Sequence, residues 1–184
     1  MSSPVDSPSD TELITRVLLR DDRRAFGVLV SRHQSAVRGL LRRLTGGDLA
    51  QADDLAQETF LRAYRGLSGY RGGAKFSSWL YRIACNVFFS RDRGSRLAAP
   101  EPPPPELEAG ASDVSLPDAL LERYDLERAL ASLKPRERAA LVLTYANELT
   151  HEEAAVILDC PLGTLKTHVA RAKEKLRRQL EEVP

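Results

Sequence analysis

THEEAAVILDCPLGTLKTHVARAKEKLRR, residues 150–178, encodes two helices separated by a tight break. Thr150 and Glu153 stand three apart, as a capping box requires, and open a short helix through Ala154, Ala155, Ile157 and Leu158. Asp159-Cys160-Pro161 breaks that helix. A longer helix follows, with Leu165, Val169, Ala172 and Leu176 spaced four, three and four apart. A short helix, a tight break and a second, basic helix describe a helix-turn-helix. Lys166, Thr167 and Arg171 lie off the apolar stripe, where base edges in a major groove would be read. Lys173, Lys175, Arg177 and Arg178 are placed to meet phosphates. The plainer alternative is an amphipathic hairpin whose basic face is only solvated.

Outward from this stretch, helical spacing continues. Phe26, Leu29, Val30, Val37, Leu40, Leu41 and Leu44 form one stripe, ended by Gly46-Gly47. Leu55, Thr59, Phe60, Ala63 and Leu67 form a second, ended near residues 66–69. After the loop YRGGAK, Ser77 or Ser78 is expected to cap a third helix bearing Leu80, Ile83, Ala84 and Val87. A further helix is expected over 120–133, and Pro135 suits the first turn of the next, with Ala139, Leu141, Val142 and Leu143. No alternating strand pattern is present, so the class is all-α.

The 184 residues carry 27 Lys+Arg and 26 Asp+Glu, a formal net charge of +1, yet the charge is segregated. Residues 60–96 hold eight bases and one acid, while 97–128 hold two bases and eight acids. Residues 160–180 are again basic, with six bases and one acid. Such asymmetry points to anionic partners for the basic zones. Residues 97–118 contain six prolines and no base, and are expected to be a flexible, extended linker. The expected organisation is a disordered tail (1–10), one small helical domain (11–96), the linker (97–118) and a second small helical domain (119–184). At about 3.1–3.3 Å per residue the linker reaches roughly 70 Å, about two turns of B-DNA.

The basic window 60–96 also holds eight of the chain's eleven aromatics: Phe60, Tyr64, Tyr70, Phe76, Trp79, Tyr81, Phe88 and Phe89. Flat apolar faces beside a cationic track suit unpaired bases. Arg71, Lys75, Arg82, Arg91 and Arg93 offer the track; the plainer alternative makes most of these rings core, Phe60 and Phe88 first.

DLAQETFLRAYRGL (54–67), FSSWLYRIACN (76–86) and LGTLKTHVARAKEKLR (162–177), in this order around a Pro-rich linker, resemble the ECF (extracytoplasmic-function, group IV) sigma factors of bacterial RNA polymerase. The resemblance implies a region 2 helical bundle and a region 4 helix-turn-helix. It implies that Asp54, Gln57, Glu58 and Arg62 dock on the polymerase's largest subunit. It assigns Lys75, Phe76, Ser77, Arg82 and Asn86 to −10 recognition and capture of a flipped base, with Ser90 where the family favours an acidic or polar residue. It assigns Thr164, Lys166, Thr167, Ala170, Arg171 and Lys173 to the −35 element, with His168 standing where Arg is frequent. The implied partners are bacterial core RNA polymerase, promoter DNA and an anti-sigma factor. The linker resembles the segment that threads toward the polymerase's active-centre cleft.

Other classes are disfavoured. Asp53, Asp54 and Glu58 are a candidate carboxylate set, and His151-Glu152-Glu153 a candidate metal cluster. But His33, His151 and His168 are scattered, and no H-E-x-x-H or Gly-rich phosphate loop occurs. The reading is of no enzyme, no metal and no cofactor. A stand-alone helix-turn-helix regulator is the alternative function. Cys85 is expected to be packed and Cys160 structural. No apolar run is long enough to span a membrane and no signal peptide is recognisable, so no membrane insertion and a cytoplasmic location are expected.

Overall fold

The computed structural model describes residues 7–98 and 126–181, and every regular element among them is helical. Domain one comprises α1 (Asp10–Arg20), α2 (Arg23–Leu44), α3 (Leu49–Gly66), a 3-10 turn (Leu67–Gly69) and α4 (Phe76–Ala98). Domain two comprises α5 (126–131), α6 (Pro135–Leu141), a π-helical turn (Val142–Ala146), α7 (His151–Ile157) and α8 (Leu162–Glu181).

Local chemistry sets the boundaries. Ser9 and Glu12 form a capping box that starts α1. Asp22 accepts from Ala25 N–H at 3.0 Å and starts α2; Asp48 accepts from Gln51 N–H at 2.9 Å and starts α3. These caps satisfy N–H groups that helices leave unpaired. Three expectations are corrected. Ser9 and Asp10 are not part of a tail, since they begin a helix that Leu13, Ile14 and Val17 anchor in the core. α4 starts at Phe76, with Trp79 N–H donating to Lys75 C=O at 3.2 Å, so Ser77 and Ser78 lie inside its first turn and cap nothing. Within the expected 120–133 helix, only 126–131 is helical among described residues. Of the expected linker, 97–118, residues 97 and 98 belong to α4 and the rest lies outside the described residues.

In domain one, Leu29, Val37, Leu40, Leu41 and Leu44 of α2 meet Leu55 and Ala63 of α3 and Leu80, Ala84 and Cys85 of α4. Each fully buried leucine contributes about 1.5–3 kcal/mol. Thr59 is buried without penalty because its hydroxyl donates to Leu55 C=O at 2.7 Å. In domain two, Leu130, Leu133, Ala139 and Leu143 pack with Ile157, Leu158, Leu165, Val169 and Ala172. Glu137 is only 3% exposed and is paired with Lys175 Nζ at 2.7 Å, tying α6 to α8. Burial raises the Glu137 carboxyl, but the hydrogen bond and charge of Lys175, joined by the amide and charge of Lys134, outweigh it and hold that carboxyl below its ordinary range.

The two domains touch, and their buried side chains form one continuous cluster. The turn between α2 and α3 receives α5. Gly46 and Gly47 there have φ of 68° and 95°. A Cβ on Gly46 would lie 2.9 Å from Ala131 Cβ, and one on Gly47 2.5 Å from Glu127 Oε2, so glycine serves both the turn and the close approach. Arg42 Nε meets Glu127 Oε1 at 2.7 Å. Arg138, from α6, donates to Leu44 C=O at the end of α2 and to Ala131 C=O at 2.6 Å. At the other end of the interface, α7 packs on α4.

Candidate nucleic-acid interface

Three surfaces gather the sequence-assigned residues. The first is the outer face of α3. Asp54, Glu58 and Arg62 follow at intervals of four along one stripe, and Gln57 stands beside them. Glu58 Oε1 accepts from Arg62 at 2.7 Å and Asp54 lies 3.8 Å from Arg91. Asp53 is bonded to Arg38 at 3.0 Å. The three carboxylates once considered as a catalytic set therefore each face a separate arginine. Beside the stripe, α2 and α3 form a groove of about 700 Å³ whose apolar lining is Phe26, Val30, Phe60, Leu61 and Tyr64. Leu61 is 51% exposed. Tyr64 is held there by donating to Asp21 at 2.6 Å and by edge contact with Phe26 at 4.9 Å. Periodicity placed Phe26, Val30 and Phe60 on apolar stripes but could not separate groove from core. Phe60, expected in the core, is half-buried at this groove.

The second surface is the loop before α4. Gly72 has φ of 73°, and the Tyr70 hydroxyl donates across the loop to Ala74 C=O at 2.6 Å. Burial, reinforced by the Asp10 carboxylate, raises the Tyr70 phenol above its ordinary value, which keeps it a neutral donor. Lys75 and Arg82 are exposed beside half-buried Trp79, and Asn86 is exposed one turn beyond Arg82. Ser77 is half-buried in the first turn of α4. Phe76 requires a correction: at 4% exposed it has no free face for a base. It stacks on Trp79 at 5.5 Å and meets His33 edge-on at 5.3 Å, supporting the loop from beneath. His33 is itself bonded to Asp10 at 2.7 Å. Tyr70 and Trp79, which line the crevice beside Lys75, offer the ring surface instead.

The third surface is α8. The Thr150–Glu153 capping box forms, with hydrogen bonds of 3.2 and 2.9 Å. Asp159, in the left-handed region at φ 50°, turns the chain between α7 and α8. Leu165, Val169 and Ala172 are buried, while Thr164, Lys166, Thr167, Ala170, Arg171 and Lys173 are exposed. Lys175 is corrected from a phosphate contact to the partner of buried Glu137. Arg177 and Arg178 reach Glu174 at 3.3 and 3.0 Å. The residue that sequence reasoning missed is Tyr145. A π turn interrupts the helix after α6, and Tyr145 there is 59% exposed. Lys173 Nζ donates to its hydroxyl at 3.2 Å and lies 5.3 Å from its ring centre, so Tyr145 fixes one cation of this face. A lone tyrosine in a short helix gave no signal in the sequence.

Cys85 is fully buried, and burial pushes its thiol up to about 12. Cys160 is half-buried in the turn and unpaired. Among the described residues, no cluster of three or more His, Cys, Asp or Glu side chains is arranged to hold a metal, and no helix is long and apolar enough to cross a membrane.

Comparison with known proteins bears on these surfaces. The family described as Sigma-70 region 2 matches residues 29–96, and that described as Sigma-70, region 4 matches residues 123–176. The RNA polymerase sigma-H factor of Pseudomonas aeruginosa is 32% identical over 188 residues, covering 94% of each chain. The ECF RNA polymerase sigma-E factor of Escherichia coli is 34% identical over 185 residues, covering 94% of this chain and 95% of that one. Among solved structures, the sigma factor RpoE of Bartonella quintana, in complex with the anti-sigma factor NepR, covers 86% of this chain at 25% identity and a TM-score of 0.65. CnrH, in complex with the cytosolic domain of CnrY, covers 95% at 25% identity and a TM-score of 0.70. With helical class, order of motifs and relatives spanning nearly the whole chain in agreement, this protein belongs to the ECF sigma factors of bacterial RNA polymerase.

Proposed function

We propose that this chain binds bacterial core RNA polymerase and directs promoter-specific initiation by reading a −35 element with domain two and a −10 element with domain one. The observation that carries the reading is the pairing, on one chain, of a helix-turn-helix with a cationic, aromatic loop suited to unpaired bases. A stand-alone helix-turn-helix regulator needs only the first of these.

The α2–α3 groove, lined by Gln57 and the exposed Leu61, together with the neighbouring stripe of Asp54, Glu58 and Arg62, is the docking face for the polymerase. Exposed apolar area ringed by charge is what a protein interface requires. Lys75, Arg82 and Asn86 track the backbone of the melted strand while Tyr70 and Trp79 stack its bases. Extracting one base costs a few kcal/mol, and stacking returns roughly 1–3 kcal/mol per base. Domain one alone therefore melts DNA poorly, and polymerase contacts supply the difference. Thr164, Lys166, Thr167, Ala170 and Arg171 face the −35 bases; Lys173, held by Tyr145, neutralises a phosphate. The protein catalyses nothing itself and acts in the cytoplasm, where the polymerase carries out the chemistry. An anti-sigma factor is its proposed regulator, because RpoE, a relative in fold and sequence, is bound by one.

Run-off transcription with purified bacterial core enzyme, with and without this chain, tests the proposal. The expected result is a discrete transcript only when both are present. A chain that never associates with active core, or core that gains no start-site selectivity from it, overturns the proposal.

A further inference from the structure

α1 reaches the strand-reading loop through a chain of side-chain contacts. Asp10 is the first residue of α1, but the capping box of Ser9 and Glu12 already serves that N-terminus. The Asp10 carboxylate spans instead to α2, where Oδ1 accepts from Arg32 at 2.5 Å and Oδ2 from His33 Nε2 at 2.7 Å. A carboxylate only accepts, so Nε2 of His33 carries a proton. Arg32 also donates to Pro8 C=O at 2.9 Å, which ties the entry of α1 to the same turn of α2. The His33 side chain is 14% exposed, and its ring meets Phe76 at 5.3 Å and 72°. Phe76 has no polar group and takes its tilt from the rings packed on it. Trp79 stacks on it at 5.5 Å and 28°, and Tyr70 meets it edge-on at 5.5 Å and 78°. The two rings offered to a melted strand thus rest on one buried ring, and that ring rests on a histidine held by α1.

We propose that the Asp10–His33 pair is a positioning element for strand capture: it fixes the His33 ring against Phe76, and Phe76 then holds Trp79 and Tyr70 at the spacing and tilt that unpaired bases meet. The proposal rests on the assignment of Tyr70 and Trp79 to the melted strand given above. Rings fixed before binding lose little freedom when a base stacks on them, so more of the stacking energy remains to offset unpairing. Packing alone does not explain the pair. Leu13, Ile14 and Val17 already anchor α1 in the core, and their burial needs neither a carboxylate nor an imidazole. An apolar side chain at position 33 would cover Phe76 as well, but apolar contact is non-directional, whereas a hydrogen bond gives the covering ring one orientation. Asp10 also acts on the second ring, because its charge reinforces the burial that keeps the Tyr70 phenol neutral.

The test uses the full chain. Trp79 is its single tryptophan, so acrylamide quenching of tryptophan fluorescence reads that ring alone. Asp10→Ala removes the acceptor, and Asp10→Asn returns one as the conservative rescue. His33→Phe keeps a ring against Phe76, removes the donor and leaves Asp10 with Arg32, so it carries the test if Asp10→Ala lowers helix content by circular dichroism. Neither position is assigned to DNA or to the polymerase. Asp10→Ala and His33→Phe should raise the quenching of Trp79, and Asp10→Asn should recover most of the wild-type protection. With core polymerase on the run-off template, the two disruptive variants should lower strand opening, read by permanganate reactivity, about tenfold, within what one stacked base is worth. Binding of the same holoenzymes to the duplex −35 half of that template should not change. Unaltered Trp79 quenching, unaltered opening, or a loss of core and duplex binding in step with opening overturns the proposal; the last would make the pair merely a brace for the bundle. Trp79 is read in the free chain, so a chain without run-off activity would refute the sigma reading, and the quenching would still decide whether α1 fixes the ring.

Discussion

Lys175→Met separates a structural role from a DNA-binding one. Lys175 looks from the sequence like a phosphate contact, but its ammonium lies 2.7 Å from a carboxylate whose side chain is 5% exposed. Removing one member of a buried pair costs about 3–5 kcal/mol, because the remaining charge is stranded. The Lys175 side chain is 42% exposed, so solvent screens the pair and the cost falls to about 2 kcal/mol. For a chain of this size that lowers Tm by roughly 4–8 °C. The pH dependence has a definite sign. The Glu137 carboxyl is depressed in the folded state, so the stability it contributes is present above the ordinary Glu range near about 4.3 and is lost as pH falls through the folded value. Thermal melts followed by circular dichroism should show the full gap between wild type and Lys175→Met at pH 7. The gap should close in acid, below about pH 4, where the stranded carboxylate is protonated. Adding Glu137→Gln to Lys175→Met should restore most of the lost Tm. The slope of log affinity against log salt for promoter DNA should not change. A slope reduced by about one, with Tm unaltered, would mean that Lys175 meets a phosphate after all, and the structural assignment would fail.

Four further substitutions have outcomes set by the site geometry. Leu61→Arg places a charge on the exposed rim of the docking groove and should weaken core polymerase binding by roughly tenfold or more, measured by competition in pull-down, while the melting temperature stays put. Trp79→Ala should leave promoter capture intact and slow strand opening, with a loss of about 1–3 kcal/mol read by permanganate reactivity; Phe76→Ala should instead cost about 3–5 kcal/mol of folding stability, since that ring is buried. Arg171→Ala should weaken holoenzyme binding by about 1–3 kcal/mol and relax preference at one −35 position; equal affinity of mutant and wild type contradicts its assignment.

The helical class, the helix-turn-helix and the apolar stripes were legible because helical periodicity is set locally. Leu165, Val169 and Ala172 fall on one face wherever the helix docks. Capping was legible at Thr150 and Glu153, which behave as their spacing requires, and misleading at Ser77 and Ser78, which lie inside the first turn of α4. The same signal at Ser9 and Glu12 marks α1, and the run of Leu13, Ile14 and Val17 completes it; the signal was there, but the proline-containing segment before it read as a tail. What periodicity cannot carry is the third dimension. Phe60 and Phe76 are equivalent as letters, yet one lines a groove and the other is buried under a loop. Lys175 and Lys173 sit two apart on a basic helix, but only the packing of α6 shows that one serves Glu137 and the π turn that the other meets Tyr145. Long-range partners such as Arg138 and Leu44, 94 residues apart, leave no trace in local pattern.

Charge segregation takes on a second meaning once the domains are seen together. A chain of net charge +1 with eight bases and one acid in 60–96 has its compensating acids elsewhere, and four of them line 148–159. Contact between the domains brings these together, so salt should act on the two ends of that contact differently. The α7 end is exposed: the side chains of Arg82 and Asp159 are 47% and 86% accessible, and they are 3.8 Å apart. The α5 end is not, since the Glu127 side chain is 12% accessible where Arg42 meets it at 2.7 Å. The screening length falls from about 10 Å at 0.1 M salt to about 3 Å at 1 M, which weakens exposed pairs and leaves shielded ones largely intact. Raising salt should therefore loosen the α7 end first while α5 stays seated. Hydrogen exchange followed by mass spectrometry reads both ends in one experiment: amides of residues 70–75 should lose protection at high salt before those of 126–131. Simultaneous loss at both ends would mean that the two domains dock as one rigid unit, and the distinction between a shielded α5 end and a screened α7 end would have to be abandoned.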